Sequence, residues 1–302
     1  MPTVMARSGF SDLLYPGLNK AYVLAYKAYP EEYNKFLNLD TSTKQKEEDS
    51  ATVGFGLVPE KVEGRTPYYD EMQYVGKIEY VHKTYCMGFV VTEELVEDEL
   101  YGVINQGPRL LAEAVKKTTD TLGAAPLNNA FAAAPLGVDG KCLCATDHPQ
   151  KKSGGTQANR PTVDCDFDPI ALNDATETIE LWKDDNNLPL LYLPKYVVSG
   201  PRQRKIIGQT LGSEKEPFTA DNEINAVREW ELQRLILHYL TDEDAWFVLS
   251  RQQDHYMKWF WRIRPVFRNF DDPETGNAKY QVRFRASCGF THWWGVYGSP
   301  GG

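Results

Sequence analysis

Apolar and polar positions along this chain fall into blocks of different period. In KIEYVHKTY, residues 77–85, the side chains alternate as in a strand. Ile78, Tyr80, His82 and Thr84 point one way, while Glu79, Val81, Lys83 and Tyr85 point the other. The preceding GFGLVPEKVEGRTPYYDE is punctuated by Gly and Pro, so residues 51–91 read as a long β-hairpin or ribbon. Neither face is cleanly apolar, and a two-stranded ribbon is marginal alone in water. It needs something to lie on. The period then changes. From Thr92 to Phe131, apolar or small residues recur in steps of three and four, including Val96, Leu100, Ile104, Leu111, Val115, Leu122 and Ala125. Thr92 is the expected N-cap, and Glu93, Glu94, Glu97 and Asp98 suit the positive end of a helix dipole. A helix of roughly 40 residues would reach about 60 Å, the length of a coiled coil or of the spine of an elongated subunit. Pro108 is expected to kink or break it.

The flanks are less regular. Residues 1–50 hold short apolar turns followed by TSTKQKEEDS, a polar run with nothing to bury that reads as part of an extended, mobile arm. Residues 135–168 are loop-rich. Helix and strand signals alternate over 169–250, as in a compact α/β lobe. In the last fifty residues, MKWFWRIRPVFRNF and KYQVRFRASCGF flank the turn-rich DDPETGNA. This is a second long hairpin, with Tyr280, Val282, Phe284 and Ala286 alternating against Gln281, Arg283, Arg285 and Ser287.

Composition narrows the function. At 302 residues the chain exceeds what one core usually serves, so more than one lobe is expected. The net charge of −9 makes the whole surface a poor match for phosphate backbones. The five cysteines, with no signal peptide and no bilayer-length apolar run, read as free thiols in a soluble cytoplasmic product.

Candidate chemistry is sparse. G-x-S-x-G, G-x-x-x-x-G-K-[ST], H-E-x-x-H and G-x-G-x-x-G are all missing, and the five histidines are scattered. The exception is KCLCATDHPQ, residues 141–150, where Cys142, Cys144, Asp147 and His148 are four metal-ligand types within seven positions. One reading is a zinc site, with a soluble metalloenzyme behind it. However, structural zinc sites usually use two-residue spacers and a second ligand pair. The other reading is a packed loop with buried thiols, a turn at Asp139–Gly140 and a short strand ending at His148–Pro149.

In their order, these pieces resemble a family. An arm, a long ribbon and GFVVTEELVEDELYG leading into a long helix are similar to the tailed-phage major capsid proteins. GVDGKCLCATDHP resembles the corresponding segment of the Mu-like major head subunits, as do LPKYVVSGP and EINAVRE…LTDEDAWFVL. The resemblance runs from about residue 50 to the C-terminus. It implies an α+β, Hong Kong-ninety-seven-type capsid fold. The parts would be an N-arm at 1–50, an E-loop ribbon at 51–91, and a peripheral domain at 92–168 with its spine helix at 92–131. An axial domain would follow at 169–250, then a hairpin at 251–302 returning to the peripheral domain. The implied role is non-enzymatic: hexamers and pentamers of an icosahedral shell around double-stranded DNA. Assembly would take place in the bacterial host cytoplasm, with no cofactor and no membrane. Scaffold, portal and any decoration protein would be separate chains. An encapsulin-like nanocompartment shell is the alternative within the same fold.

The candidate subunit contacts are Tyr80, His82 and Tyr85 on the ribbon, Glu93, Glu97 and Asp98 at the start of the spine, and Arg262, Arg264, Arg283 and Arg285 on the last hairpin. On regular strands Arg262 and Arg264 share a face, as do Arg283 and Arg285, and pairing would merge them into one basic band. That band is open to three readings: a solvated face with arginine stems over apolar surface, a DNA contact, or a contact with a neighbour's carboxylates.

Overall fold

The computed structural model describes residues 8–92, 101–215, 224–272 and 277–302. The expected acidic helix start, with Glu93, Glu94, Glu97 and Asp98, lies outside them. Two four-stranded sheets organise the described residues: one face of the second sheet joins the core of the first, and its other face builds a second core. The first has the order β1-β10-β11-β4, with β1 at Asn38–Thr41, β4 at Lys83–Val91, β10 at Met257–Asp271 and β11 at Ala278–Phe290. Strand β1 runs parallel to β10, and the other pairs are antiparallel. On one face of this sheet lie α1 (Ser8–Ala28) and α2 (Tyr101–Asn128).

The alternation read on the last hairpin is the observed one. Tyr280, Val282, Phe284 and Ala286 are buried beneath the helices, and the residues between them are half-buried on the outer face. Helix α2 packs through Leu111, Ala112, Val115 and Leu127. It is about 42 Å long at 1.5 Å per residue. Of the two outcomes expected at Pro108, a kink or a break, the break does not occur: the helix is continuous through it. The lost hydrogen bond and ring clash cost about 3 kcal/mol, which the buried apolar face of the helix offsets. Gly107 makes a close crossing possible, since a Cβ there would stand 2.8 Å from Cζ of Phe89.

The second sheet has the order β12-β9-β7-β8, formed by Val296–Ser299, Trp246–Ser250, Pro194–Ser199 and Gln233–Ile236. It carries α3 (Pro169–Leu181) and α4 (Arg204–Gly212). Asp168 caps helix α3 by accepting from the Ala171 amide at 2.6 Å, and Pro169 takes the first position. Its Leu172, Ala175 and Ile179 join Trp182, Trp246, Val248, Trp293 and Tyr297 in the second core. The chain's last strand therefore belongs to this lobe, whereas the capsid resemblance implies that residues 251–302 return to the peripheral domain.

Two further corrections concern the N-terminal region. Residues 1–50 are not a mobile arm where they are described. Helix α1 buries Leu18 and Tyr22, and Tyr22 stacks on Phe267 at 5.2 Å. The polar run becomes β2 (Lys46–Val53), antiparallel to β3 (Gln73–Val81). This pairing is held by charge, with Lys46 2.8 Å from Glu79 and Lys77 3.0 Å from Glu48 across the strands. The ribbon therefore runs from 46 to 81, with its loop at 54–72, and β4 belongs to the first sheet.

Candidate assembly surfaces

The ribbon has a fixed root and an exposed end. At the root, Lys258 reaches Asp49 at 2.6 Å, and Asp49 also accepts a hydrogen bond from Thr291. The Tyr80 hydroxyl pairs with Thr291 Oγ1 at 2.7 Å, and its ring lies 5.0 Å from that of Phe260. His82 Nδ1 pairs with Ser287 Oγ at 2.9 Å. Tyr80 and His82 are thus buried inside the subunit and offer no surface to a neighbour, because the ribbon root folds back over the outer face of the sheet. Tyr85 stacks on Phe284 at 5.0 Å and is half-buried.

The loop is the opposite case. Leu57 is 79% exposed, Val58 94% and Tyr69 84%, with Phe55, Val62, Tyr68, Met72 and Tyr74 also exposed. Its ties to the rest of the subunit are few: Lys152 pairs with Asp70 at 3.3 Å, and the Asn186 side-chain amide donates to the Gly54 carbonyl at 2.8 Å. So many large apolar side chains exposed on one loop mark a contact surface.

The arginines are not arranged as regular strands would place them. Strand β10 shifts register against β11 between Trp261 and Ile263, and again between Ile263 and Val266. The first shift is a β-bulge, which sets Arg262 and Ile263 on the same side opposite Arg285. Arg264 turns to the helix side, where its guanidinium carbon lies 6.0 Å from the centre of the Trp261 ring. Arg262 and Arg264 therefore sit on opposite faces, and the expected band loses a member. Arg283 and Arg285 do share the outer face, directly opposite Val266 and Ile263. Among the described residues none of these four arginines forms an ion pair, and the Nε atoms of Arg262 and Arg285 are buried without a partner. His82 registers the cluster: burial, then the charges of Arg285 and Arg262, push its pKa down against an opposing pull from Glu47.

The 141–150 segment resolves as a packed loop. The turn at Asp139–Gly140 is present, with the Gly140 amide donating to the Gly137 carbonyl and Gly140 at φ +78°. His148 Nδ1 donates to Asp139 Oδ2 at 2.6 Å. Its Nε2 faces Asn159 Oδ1 at 2.9 Å. The orientation of Asn159 is set by its amide, which donates to the Leu143 and Val296 carbonyls at 2.7 and 2.8 Å. Both ring nitrogens of His148 are therefore engaged within the loop, by Asp139 and Asn159, and neither is turned toward Cys142, Cys144 or Asp147 as a shared ligand. Asp139 answers in kind: burial raises its pKa, but the His148 hydrogen bond and charge outweigh this and leave it lowered. The other three groups go elsewhere: Cys142 Sγ donates to the Cys144 carbonyl, Cys144 is fully buried, and Asp147 pairs with Lys141. Among the described residues no three His, Cys, Asp or Glu side chains converge as a metal site. Accordingly, Cys142→Ser should be nearly neutral, while Cys144→Ser buries a hydroxyl in an apolar site and should cost about 1–3 kcal/mol. Denaturant melts check the costs, and loss of a stoichiometric metal from either variant would contradict the packing reading.

The sequence profile of a family described as phage capsid protein matches residues 77–299 of the 302. The chain belongs to the phage capsid protein family. No curated protein matches it. Its fold is similar to that in the procapsid of bacteriophage JBD30, with a TM-score of 0.56 and 17% identity over 98% of this chain and 76% of that one. The capsid of Ralstonia phage GP4 gives 0.55 and 10%, covering 87% and 86%. A virus-like particle from Pyrococcus furiosus gives 0.55 and 11%, covering 95% and 99%. The chain is a tailed-phage major capsid protein with the Hong Kong-ninety-seven-type fold, its role is structural, and it works by self-association in the virion. As to membranes, no helix among the described residues is long and apolar enough to cross one.

Proposed function

We propose that the chain is a Mu-like major head subunit that forms hexamers and pentamers of an icosahedral shell. The shell would enclose double-stranded DNA without reading its sequence and would be assembled in the bacterial host cytoplasm. Scaffold, portal and any decoration protein are separate chains in this reading, and the subunit performs no catalysis. The observation that carries it is the ribbon loop: eight large apolar side chains of residues 55–74 stand in water on a two-stranded support. A monomer with such a surface has not reached its final state, and a second copy supplies the missing cover. The subunit contacts in this reading are the ribbon loop, the outward arginines Arg262, Arg283 and Arg285, and the acidic residues Glu93, Glu97 and Asp98. The phage side is preferred to a nanocompartment by the family match and by the GVDGKCLCATDHP loop. The experiment is expression of the chain followed by sedimentation and negative-stain imaging. Closed, fast-sedimenting shells are expected; a stable monomer at micromolar concentration, with or without a co-expressed scaffold, would overturn the proposal.

A further inference from the structure

The tip of one hairpin serves neither core. Strands β5 (His148–Pro149) and β6 (Thr156–Gln157) pair, and residues 151–155 between them, KKSGG, are all exposed. The tip is nevertheless held firmly. Gly154 turns at φ +73°, the Gln150 amide donates to the Gly155 carbonyl at 2.8 Å, and the Gly154 amide donates to the Gln150 carbonyl at 3.2 Å. Beside the hairpin stands the turn 184–188. Asp184 Oδ1 accepts from the amides of Asn186 and Leu188, both at 2.8 Å, and Asn187 takes a left-handed conformation at φ +64° that asparagine tolerates. Hairpin and turn are stitched together. Gln157 and Lys183 exchange two hydrogen bonds, at 2.7 and 2.9 Å. The Gln150 side-chain amide donates to the Asp184 carbonyl at 3.0 Å, and the Lys151 backbone amide donates to Asp185 at 2.8 Å.

This platform meets the ribbon. Asn186 donates to the Gly54 carbonyl at 2.8 Å, just past β2, and Lys152 pairs with Asp70 at 3.3 Å, shortly before β3. Asp70 Oδ2 also accepts the Gly56 amide at 3.2 Å, which closes the base of the loop on itself. Both stalks of the loop therefore lie on one platform, while the other end of the ribbon is rooted on the first sheet by Lys258–Asp49. A two-stranded ribbon held only at its root would pivot there. Held at both ends, it points its apolar tip in one direction. The ties leave Leu57, Val58 and Tyr69 uncovered, so they do not withhold the contact surface.

We infer that the hairpin 148–157 and the turn 184–188 form a rest that aims the ribbon loop, with Lys152 and Asn186 as positioning residues for subunit association. The inference rests on the shell reading above. Each tie is partly exposed and contributes little to folding. Its effect falls on association, because a loop already pointing where it binds loses less freedom on capture.

The test compares association with loop mobility in the full chain. Lys152→Ala with Asn186→Ala should leave the melting temperature unchanged and slow shell formation, followed by light scattering, at least about tenfold. Lys152→Arg keeps a cation beside Asp70 and should assemble at the wild-type rate. Lys152→Glu sets a like charge there and should be slow even with Asn186 intact. The second readout is one that a merely structural role would not move. A nitroxide on Val62→Cys, in a Cys86→Ser background with the signal from other thiols subtracted, should move faster in dissociated subunits of the double alanine variant than in those keeping Lys152 and Asn186. A wild-type assembly rate in the double variant would overturn the inference, whatever the label shows. So would slow assembly with an unchanged label. Faster assembly would make the ties a restraint and overturn it too. Wild-type subunits that never assemble would instead sink the shell reading, on which the inference stands.

Discussion

Replacing residues 55–71 with a short Gly-Ser turn should abolish closed shells while leaving the subunit folded. The loop contributes almost nothing to either core, since all its large apolar side chains are exposed. The tie lost is the Asp70–Lys152 pair at 3.3 Å, an exposed contact worth about 0–1 kcal/mol. The Asn186 bond to Gly54 remains, and a shorter loop costs slightly less entropy to close. The strands β2 and β3 keep their cross-strand ion pairs and the root keeps Lys258–Asp49, so the melting temperature should stay within about 2–4 °C of wild type. Assembly is different, because the deleted side chains are those with no partner in one subunit. Sedimentation and imaging read the outcome. Normal shells from the shortened chain would show that the loop is not the contact.

Asn159→Ala should be among the most destabilising single changes, at about 3–5 kcal/mol, lowering the melting temperature by roughly 10 °C. The side chain is fully buried and joins four groups: it donates to Leu143 and Val296 carbonyls and accepts from the Ala145 amide and His148 Nε2. Truncation leaves all four buried without a partner, each at about 1–3 kcal/mol before relaxation or water entry. The His148 ring is then held by Asp139 alone. Since Val296 opens the C-terminal strand and Leu143 lies in the 141–150 loop, the change also loosens the seam between that loop and the second sheet. Calorimetry or urea titration checks it, and a loss under about 1 kcal/mol would contradict the account of this junction.

How much of this was legible in the residues depends on what holds each element. The alternation of β11 was readable because one face lies under α1 and α2 and the other is open, so burial follows the period of two. Helix α2 was readable from its apolar stripe, although Pro108 argued against it; a local rule gave way to tertiary packing. Strand β2 was missed because its pairing is charged: Lys46, Glu48, Lys77 and Glu79 satisfy one another across the ribbon, and polarity was mistaken for lack of structure. Tyr80 and His82 looked like contact residues because nothing in a strand's own pattern tells which other element will cover it. Arg262 and Arg264 parted because a bulge moves every later side chain to the opposite face. No residue at that point announces a bulge. The four ligand types in 141–150 were correctly grouped in space with a turn and a short strand, but it was Asn159, eleven residues beyond His148, that organised them. Its signal would have been a lone amide in a loop whose carbonyls needed donors.

The central claim, that this chain is a shell subunit completed by its neighbours, is tested most directly by a cryo-electron-microscopy map of the purified wild-type particle. The account predicts a closed icosahedral shell in which the apolar side chains of residues 55–74 of each subunit are covered by another copy. A map with that loop lying free in solvent, or a sample that remains monomeric under all assembly conditions, would contradict it.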